Sequence, residues 1–186
     1  LNYARTAFKS AADLPHNVKI QEDALYNYAV LSYQLDYNPY NEAIIAFELF
    51  LTEFPQSERT EDVYGYMANV YSSTKNYKEA IKSLERIPSL NVKLKAAYQV
   101  VSYNLGVEEF ERGNYRAAID AMKKVYKYDM SSKITGQAKF WEADAHYMLQ
   151  EWNLAIGNYR AFLTIPGVNN PELTETAYYN IAYAYY

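Results

Sequence analysis

The chain has 186 residues, half of them hydrophobic, with a net charge of −4 and no cysteine. The acids outnumber the lysines and arginines, which argues against a nucleic-acid partner because phosphate binding requires clustered cations. The absence of cysteine excludes disulfides, thiol catalysis and cysteine-ligated metals. No apolar run approaches the ~20 residues needed to cross a bilayer.

One sequence unit occurs four times. It consists of an aromatic residue and an alanine three residues later. In three of the four copies an acidic or basic residue lies between these two. The aromatic members lie 37, 38 and 37 residues apart, at Tyr40, Tyr77, Tyr115 and Trp152. A period in this range is typical of stacked helical hairpins, each of which buries its apolar face against its neighbours. The expected fold is therefore an all-α solenoid of helix-turn-helix hairpins.

The apolar periodicity predicts where each helix lies in the chain. The first helix is predicted from Asn2 to Asp13 and is expected to be the second helix of a preceding hairpin. First helices are predicted near residues 18–36, 58–74, 92–112, 133–150 and 171–186, and second helices near 40–54, 76–87, 114–128 and 152–164. The corresponding repeats are a half repeat at 1–14, repeats at about 17–55, 57–88, 91–129 and 132–166, and a half repeat at 170–186. We expect a segment of a longer array, able to associate end to end through its exposed last helix.

The second hairpin shows the pattern most clearly. Tyr64, Ala68 and Tyr71 fall on one face of its first helix. Asn76 is predicted to cap the second helix, with Glu79 three residues later completing a capping box.

Small residues recur with the same period. In the first helices they are Ala29, Ala68, Gly106, Ala143 and Ala182; in the second helices they are Ala43, Ala80, Ala118 and Ala155. A small side chain lets two helix backbones approach closely, so these positions are predicted to be the contact points within each hairpin. Replacing one with leucine should overpack the contact and cost roughly 1–3 kcal/mol.

The second and third hairpins resemble the tetratricopeptide repeat family, whose unit has about 34 residues. The matching residues are Tyr64, Met67, Ala68, Tyr71, Tyr77, Ala80 and Leu84, followed by Leu105-Gly106 and Gly113-Asn114-Tyr115. The period here is longer than the family's, and the extra residues fall mostly in the loops between repeats. The resemblance covers essentially the whole chain and implies a right-handed superhelical solenoid.

A second resemblance concerns the end of one repeat. The stretch Phe50-Leu51-Thr52-Glu53-Phe54-Pro55-Gln56-Ser57 is similar to long-loop repeats of bacterial cell-envelope proteins, such as outer-membrane assembly lipoproteins and Tol-Pal accessory factors. That resemblance implies a non-catalytic scaffold that is periplasmic or associated with the outer membrane. A cytoplasmic location stays open as an alternative.

Catalytic chemistry has little support in the sequence. His16 and His146 lie far apart, and neither has a metal-ligand spacing. Paired carboxylates could serve a hydrolase, and the candidates are Glu108, Glu109 and Glu111, or Glu142 and Asp144. Adjacent acids on a helix point in different directions, however. We therefore expect neither an enzyme nor a metal or cofactor site, and we interpret His146 as a structural residue.

A binding surface is the better candidate, because first helices line the concave side of such solenoids. Positions three before and one after each small residue should face inwards, and the predicted contact residues are Tyr26, Val30, Asn69, Tyr103, Val107, Phe140, Asp144, Tyr179 and Tyr183. The predicted partner is a protein or peptide, with Asn69 and Asp144 fixing its register. The chaperone-binding members of the family bind a partner's C-terminal carboxylate with a Lys/Asn-rich clamp. Among the inner positions only Asn69 matches that clamp, so the resemblance implies that this chain does not bind such a tail.

Three other interpretations of this aromatic row remain. Its rings could be interior packing, which is the commoner role of an aromatic stripe at helical spacing. The row could instead stack on sugars in a carbohydrate-binding or glycan-processing helical array. The chain could also be a purely structural part of a larger protein.

Overall fold

A computed structural model describes residues 1–14, 17–35, 42–166, 168 and 170–186 of the chain. These residues form ten α-helices and no strands, which confirms the all-α helical-repeat prediction. The helices are α1 (Asn2–Ala12), α2 (Val18–Leu35), α3 (Glu42–Glu53), α4 (Thr60–Ser73), α5 (Tyr77–Glu85), α6 (Val92–Glu111), α7 (Tyr115–Val125), α8 (Ser132–Met148), α9 (Trp152–Thr164) and α10 (Pro171–Tyr185). Each begins and ends within a few residues of its predicted bounds, except that the predicted start at residue 40 lies outside the described residues, as does His16.

The helices group into two compact units, unit 1 (Leu1–Ser89) and unit 2 (Leu90–Tyr186). In unit 1, α2 packs between α1 and α3, α4 packs against α5, and the first helices α2 and α4 touch. In unit 2, α6 pairs with α7 and α8 with α9, while the first helices α6, α8 and α10 contact each other in turn. The neighbouring first helices of each unit position the candidate site. A single solenoid over the whole chain stays a prediction.

Three hairpins turn through a residue in the left-handed conformation, namely Lys75 (φ 59°), Gly113 (φ 78°) and Gln150 (φ 59°). In each turn the next residue's N–H donates to a carbonyl five residues earlier, as in a Schellman motif. These bonds join Asn76 to Tyr71, Asn114 to Glu109 and Glu151 to His146, at 2.7, 2.8 and 2.9 Å.

The capping box predicted at Asn76 is wrong, because its side chain makes no capping hydrogen bond. Its ψ of 62° belongs to the turn. An N-cap residue is normally extended, which aims its side chain at the first N–H groups of the helix.

The small residues of the second helices are buried, as close contacts at these positions require. Ala43, Ala80, Ala118 and Ala155 are all fully buried. In the first helices, Gly106 shows how tight the contact is, because a Cβ there would lie 2.5 Å from Cε of Met122. Ala29, Ala68 and Ala143 are also buried.

Ala182 is exposed. It lies in a half repeat, without a second helix in this sequence for it to contact, so its predicted role stays a prediction. Helix α10 packs through a different side, on which Ala177 is fully buried and Leu173 and Ile181 pack against the core of α8 and α9. Ala182 points away from that side.

Candidate functional site

In unit 2, the adjacent helices α6, α8 and α10 share a row of positions that are not buried. We call this row the unit 2 face. It comprises Val100, Asn104, Val107 and Glu111 of α6, Gln137, Trp141, Asp144 and Met148 of α8, and Thr176, Asn180 and Tyr183 of α10. Within each helix these residues follow the i, i+4, i+7 spacing that places side chains on one side.

The α6 part of the face is joined to α8 through Trp141. The indole N–H of Trp141 donates to the hydroxyl of Tyr103 at 3.1 Å. The indole ring also packs edge-on against Phe110 and Phe140, with centroid distances of 5.0 and 5.9 Å. Burial raises the pKa of the Tyr103 hydroxyl, and the hydrogen bond from Trp141 partly opposes that rise. Trp141 is thus held in one orientation while remaining partly exposed.

The α10 part of the face is joined to α8 through Asp144. Its Oδ1 atom accepts hydrogen bonds from the Tyr159 hydroxyl and, at 3.3 Å, from the side-chain amide of Asn180. The same amide also donates to the Tyr159 hydroxyl at 2.7 Å. Burial raises the pKa of the Asp144 carboxyl, and the two hydrogen bonds partly oppose that rise. One polar cluster therefore connects α8, α9 and α10 at the edge of the core.

Phe140 differs from its predicted role as a contact residue, because only 2% of it is exposed. Its ring packs against Tyr159 and Phe162, at centroid distances of 5.8 and 5.4 Å, in the core between α8 and α9. The outward position belongs to Trp141, one residue later, because a step of one residue turns a helix by about 100°. Phe140 is an interior residue, and we remove it from the candidate site.

The remaining predicted residues of unit 2 lie where a ligand could reach them. Val107 is partly exposed and packs beside Tyr103 on the core formed by Met122 and Val125. Tyr179 and Tyr183 are 63% and 61% exposed. Their rings lie 5.4 Å apart and inclined by 37°.

In unit 1, the predicted residues lie on the adjacent helices α2 and α4. Asn69 is exposed, whereas Val30 and Tyr26 are partly buried. The Tyr26 ring packs edge-on against Phe50 at 5.8 Å, and the Arg59 guanidinium lies 4.6 Å from its centroid. Tyr26 thus lies between the core and a cation and stays partly exposed.

Sequence reasoning missed one aromatic residue in each unit. Tyr66 stacks on Phe47 at 5.5 Å and lies 5.2 Å from Tyr33, and it occupies in α4 the position that Trp141 has in α8. Both residues come two positions before a small residue, Ala68 or Ala143. Counting two residues back instead of three would have found them.

His146 is buried in a network that joins α7, α8 and the turn into α9. Its Nδ1 atom lies 2.6 Å from Oε2 of Glu151. Arg116 donates to the same Oε2 at 3.0 Å and to Oε1 at 2.5 Å. The bonds from Arg116 and, to a lesser extent, from His146 lower the pKa of the Glu151 carboxyl. His146 therefore contacts Glu151 as part of this network.

The acidic residues considered as catalytic pairs belong to separate clusters. Glu142 accepts hydrogen bonds from Tyr126 and Lys139, at 2.8 and 3.1 Å, whereas the neighbouring Asp144 bonds to Tyr159. Within the described residues no group of three histidines or acids is arranged to hold a metal ion. No helix in that part of the chain is long and apolar enough to cross a membrane.

The paired helices define an all-α helical-repeat protein. Residues 23–57 match the model of the tetratricopeptide repeat family. This segment covers α2 from Asp23 onwards, α3 and the beginning of the loop to α4. Such repeats are generally protein–protein interaction modules. No curated protein matches the chain.

Proposed function

We propose that this chain is a non-catalytic scaffold that binds a peptide or a partner protein on the faces of its adjacent first helices. The observation that carries the proposal is the arrangement of the unit 2 face. Trp141 and Asp144 are each held by side-chain hydrogen bonds to a neighbouring helix, at Tyr103 and Asn180. A surface whose aromatic and polar groups are already oriented loses less conformational entropy on binding.

The accessible rings supply the apolar contact for such a partner. Tyrosine and tryptophan are enriched among the residues that dominate binding energy at interfaces. Trp141 provides a partly exposed ring at the centre of the face, and Tyr183 a strongly exposed one on α10. In unit 1, the exposed amide of Asn69 lies beside Tyr66 on α4 and would bind a partner's backbone.

The experiment uses affinity capture with the full-length protein to find a partner, followed by calorimetry with that partner purified. Tyr183→Ser should weaken the affinity by about 2 kcal/mol, since the ring is expected to be an interface anchor. Tyr178→Ser is the matched control, because Tyr178 is equally exposed on α10 but lies outside the unit 2 face. Equal affinities for both variants and the wild type would contradict the proposal.

We place this scaffold in the bacterial cell envelope, in the periplasm or at the outer membrane. The proposal is supported by the similarity of residues 50–57 to the long-loop repeats of envelope proteins. In this stretch Phe50 is buried and Phe54 packs on it at 5.5 Å, while the Ser57 hydroxyl donates to Oε1 of Glu22 at 2.5 Å. Cell fractionation of the native organism tests the location, and recovery in the cytosolic fraction alone would contradict it.

Carbohydrate is a second candidate ligand because of one pair of residues. Tyr179 and Tyr183 are both strongly exposed, and aromatic rings at such positions can stack on sugar rings. Titration with envelope oligosaccharides, followed by fluorescence of the aromatic residues, distinguishes the two ligand classes. Saturable binding that is lost in Tyr179→Ser would favour the carbohydrate.

A further inference from the structure

We infer that the segment bound on the unit 2 face carries a lysine or arginine side chain, and that the carboxylate of Asp144 receives it. The inference rests on the proposed function, since it names the chemistry of the ligand for the same face. It follows from the surroundings of Asp144, the charge of the face and the apolar groups beside the carboxylate.

The Asp144 carboxylate is partly buried, yet its hydrogen-bond donors are all uncharged. They are the hydroxyl of Tyr159 and the amide of Asn180. No lysine, arginine or histidine in the described part of the chain forms an ion pair with it. Partly buried charges are usually paired, because removing a charge from water is costly unless an opposite charge compensates. Asp144 thus lacks the cation that such a site normally has.

One oxygen of this carboxylate remains for a ligand. Both donors converge on Oδ1, and Oδ2 has no hydrogen-bond partner within the described residues. Oδ2 is not fully buried, so that solvent reaches it. An ammonium or guanidinium group could therefore bind Oδ2 without breaking the cluster that holds Asp144.

The charge of the unit 2 face favours a cationic ligand. The face contains two acids, Asp144 and Glu111, and no lysine, arginine or histidine. The nearby Arg112 at the end of α6 is paired with Glu108 at 2.7 Å. Such a surface attracts a positively charged segment and disfavours an acidic one.

The groups around Asp144 indicate that apolar residues flank the cation. Met148 lies one turn further along α8 and is 51% exposed, and Trp141 lies almost one turn before. Across the contact with α10, Tyr183 follows Asn180 by three residues and is 61% exposed. Aromatic rings beside a carboxylate also attract cations through their π faces. The occupant is therefore a basic side chain between apolar ones.

The test begins with random-sequence peptides displayed on phage and selected on the full-length protein. Peptides that also bind Tyr183→Ser are discarded, which leaves those that require the unit 2 face. A synthetic selected peptide and an analogue, with lysine replaced by norleucine or arginine by citrulline, are then titrated into wild type and Asp144→Asn. This variant keeps Oδ1 as an acceptor for Tyr159 and Asn180, and circular dichroism checks its fold.

We expect the selected peptides to be rich in lysine or arginine. Removing the positive charge should raise Kd about tenfold on the wild type and leave Kd unchanged on Asp144→Asn, since a charge-assisted bond is lost only in the first case. On the wild type, added salt should weaken the charged peptide more than its analogue. The salt comparison also tests the inference if Asp144→Asn does not fold.

Two results would overturn the inference in distinguishable ways. Peptides that require the face but lack basic residues, or that lose affinity equally on both proteins, would refute the role of Asp144 and leave the scaffold proposal intact. If every selected peptide also binds Tyr183→Ser, or none is selected, the peptide-binding function of the unit 2 face fails, and the inference fails with it.

Discussion

The indole N–H of Trp141 donates to the hydroxyl of Tyr103 across 3.1 Å and thereby links α8 to α6. The two residues are 38 positions apart, so the bond connects neighbouring repeats through their first helices. Both rings are partly exposed. The bond therefore orders the unit 2 face itself, in addition to the core beneath it.

Removing the acceptor of this bond should destabilise the protein modestly. Tyr103→Phe leaves the Trp141 N–H without its acceptor in a partly buried position, and we expect a loss of about 1 kcal/mol in the free energy of unfolding. Chemical denaturation followed by circular dichroism measures it. Tyr178→Phe removes a hydroxyl from an exposed ring of α10 and should leave stability unchanged. Similar losses in both variants would contradict a specific role for the bond.

Phe140 should affect stability far more than its exposed neighbour on the same helix. Phe140→Ala leaves a cavity between α8 and α9 and should cost about 3–5 kcal/mol. Met148→Ala removes an exposed side chain and should change stability by less than about 0.5 kcal/mol. Thermal and urea denaturation measure both. A stable Phe140→Ala protein that no longer binds its partner would instead restore Phe140 as a contact residue.

Two glycines inside helices should respond to alanine in opposite directions. At Gly106 the new Cβ would lie 2.5 Å from Cε and 3.1 Å from Cγ of the fully buried Met122, so that this side chain would have to shift within the core. We expect Gly106→Ala to destabilise by about 1–2 kcal/mol, as overpacking exceeds the gain in helix propensity. A Cβ added at Gly157 would meet no atom within 4 Å beyond its chain neighbours and the backbone of its own helix, so Gly157→Ala should stabilise by up to about 1 kcal/mol.

Equilibrium unfolding of these two variants gives both values directly. The pair controls for helix propensity, because each change replaces a helical glycine by alanine. If Gly106→Ala also stabilised the protein, the close contact with Met122 would be incorrect.

The ion pair between Glu151 and Arg116 should make stability dependent on pH. Its hydrogen bonds lower the pKa of the Glu151 carboxyl in the folded state. A lowered carboxyl pKa stabilises the fold above the unfolded-state pKa, and this stabilisation is lost as pH falls through the folded-state value. The stability difference between wild type and Glu151→Gln should therefore be largest at neutral pH and shrink as the solution becomes acidic.

Urea denaturation across the acidic range follows this difference. Glu175→Gln removes one exposed carboxylate of α10 outside the network and is the control for a general charge effect. A difference between wild type and Glu151→Gln that stays constant down to strongly acidic pH would show that the carboxylate's charge contributes nothing.

The rotation of each first helix about its own axis was predicted from the sequence only approximately. The spacing of Ala143 and its equivalents located the correct helix side to within one residue, but Phe140 and Trp141 are both aromatic and differ by only one position. Their burial depends on which ring fills the space next to Tyr159 and Phe162. That choice is made by packing between helices, which sequence periodicity does not resolve.

The sequence by itself determined the helices, their pairing into hairpins and the small residues at their contacts. These features depend on local periodicity, on turn residues and on side-chain volume, all of which are visible in a single repeat. Tertiary structure alone decided that Asp144 meets Asn180 and that Trp141 meets Tyr103. Each of these depends on contacts between residues from different helices, and their geometry is set only when the helices pack.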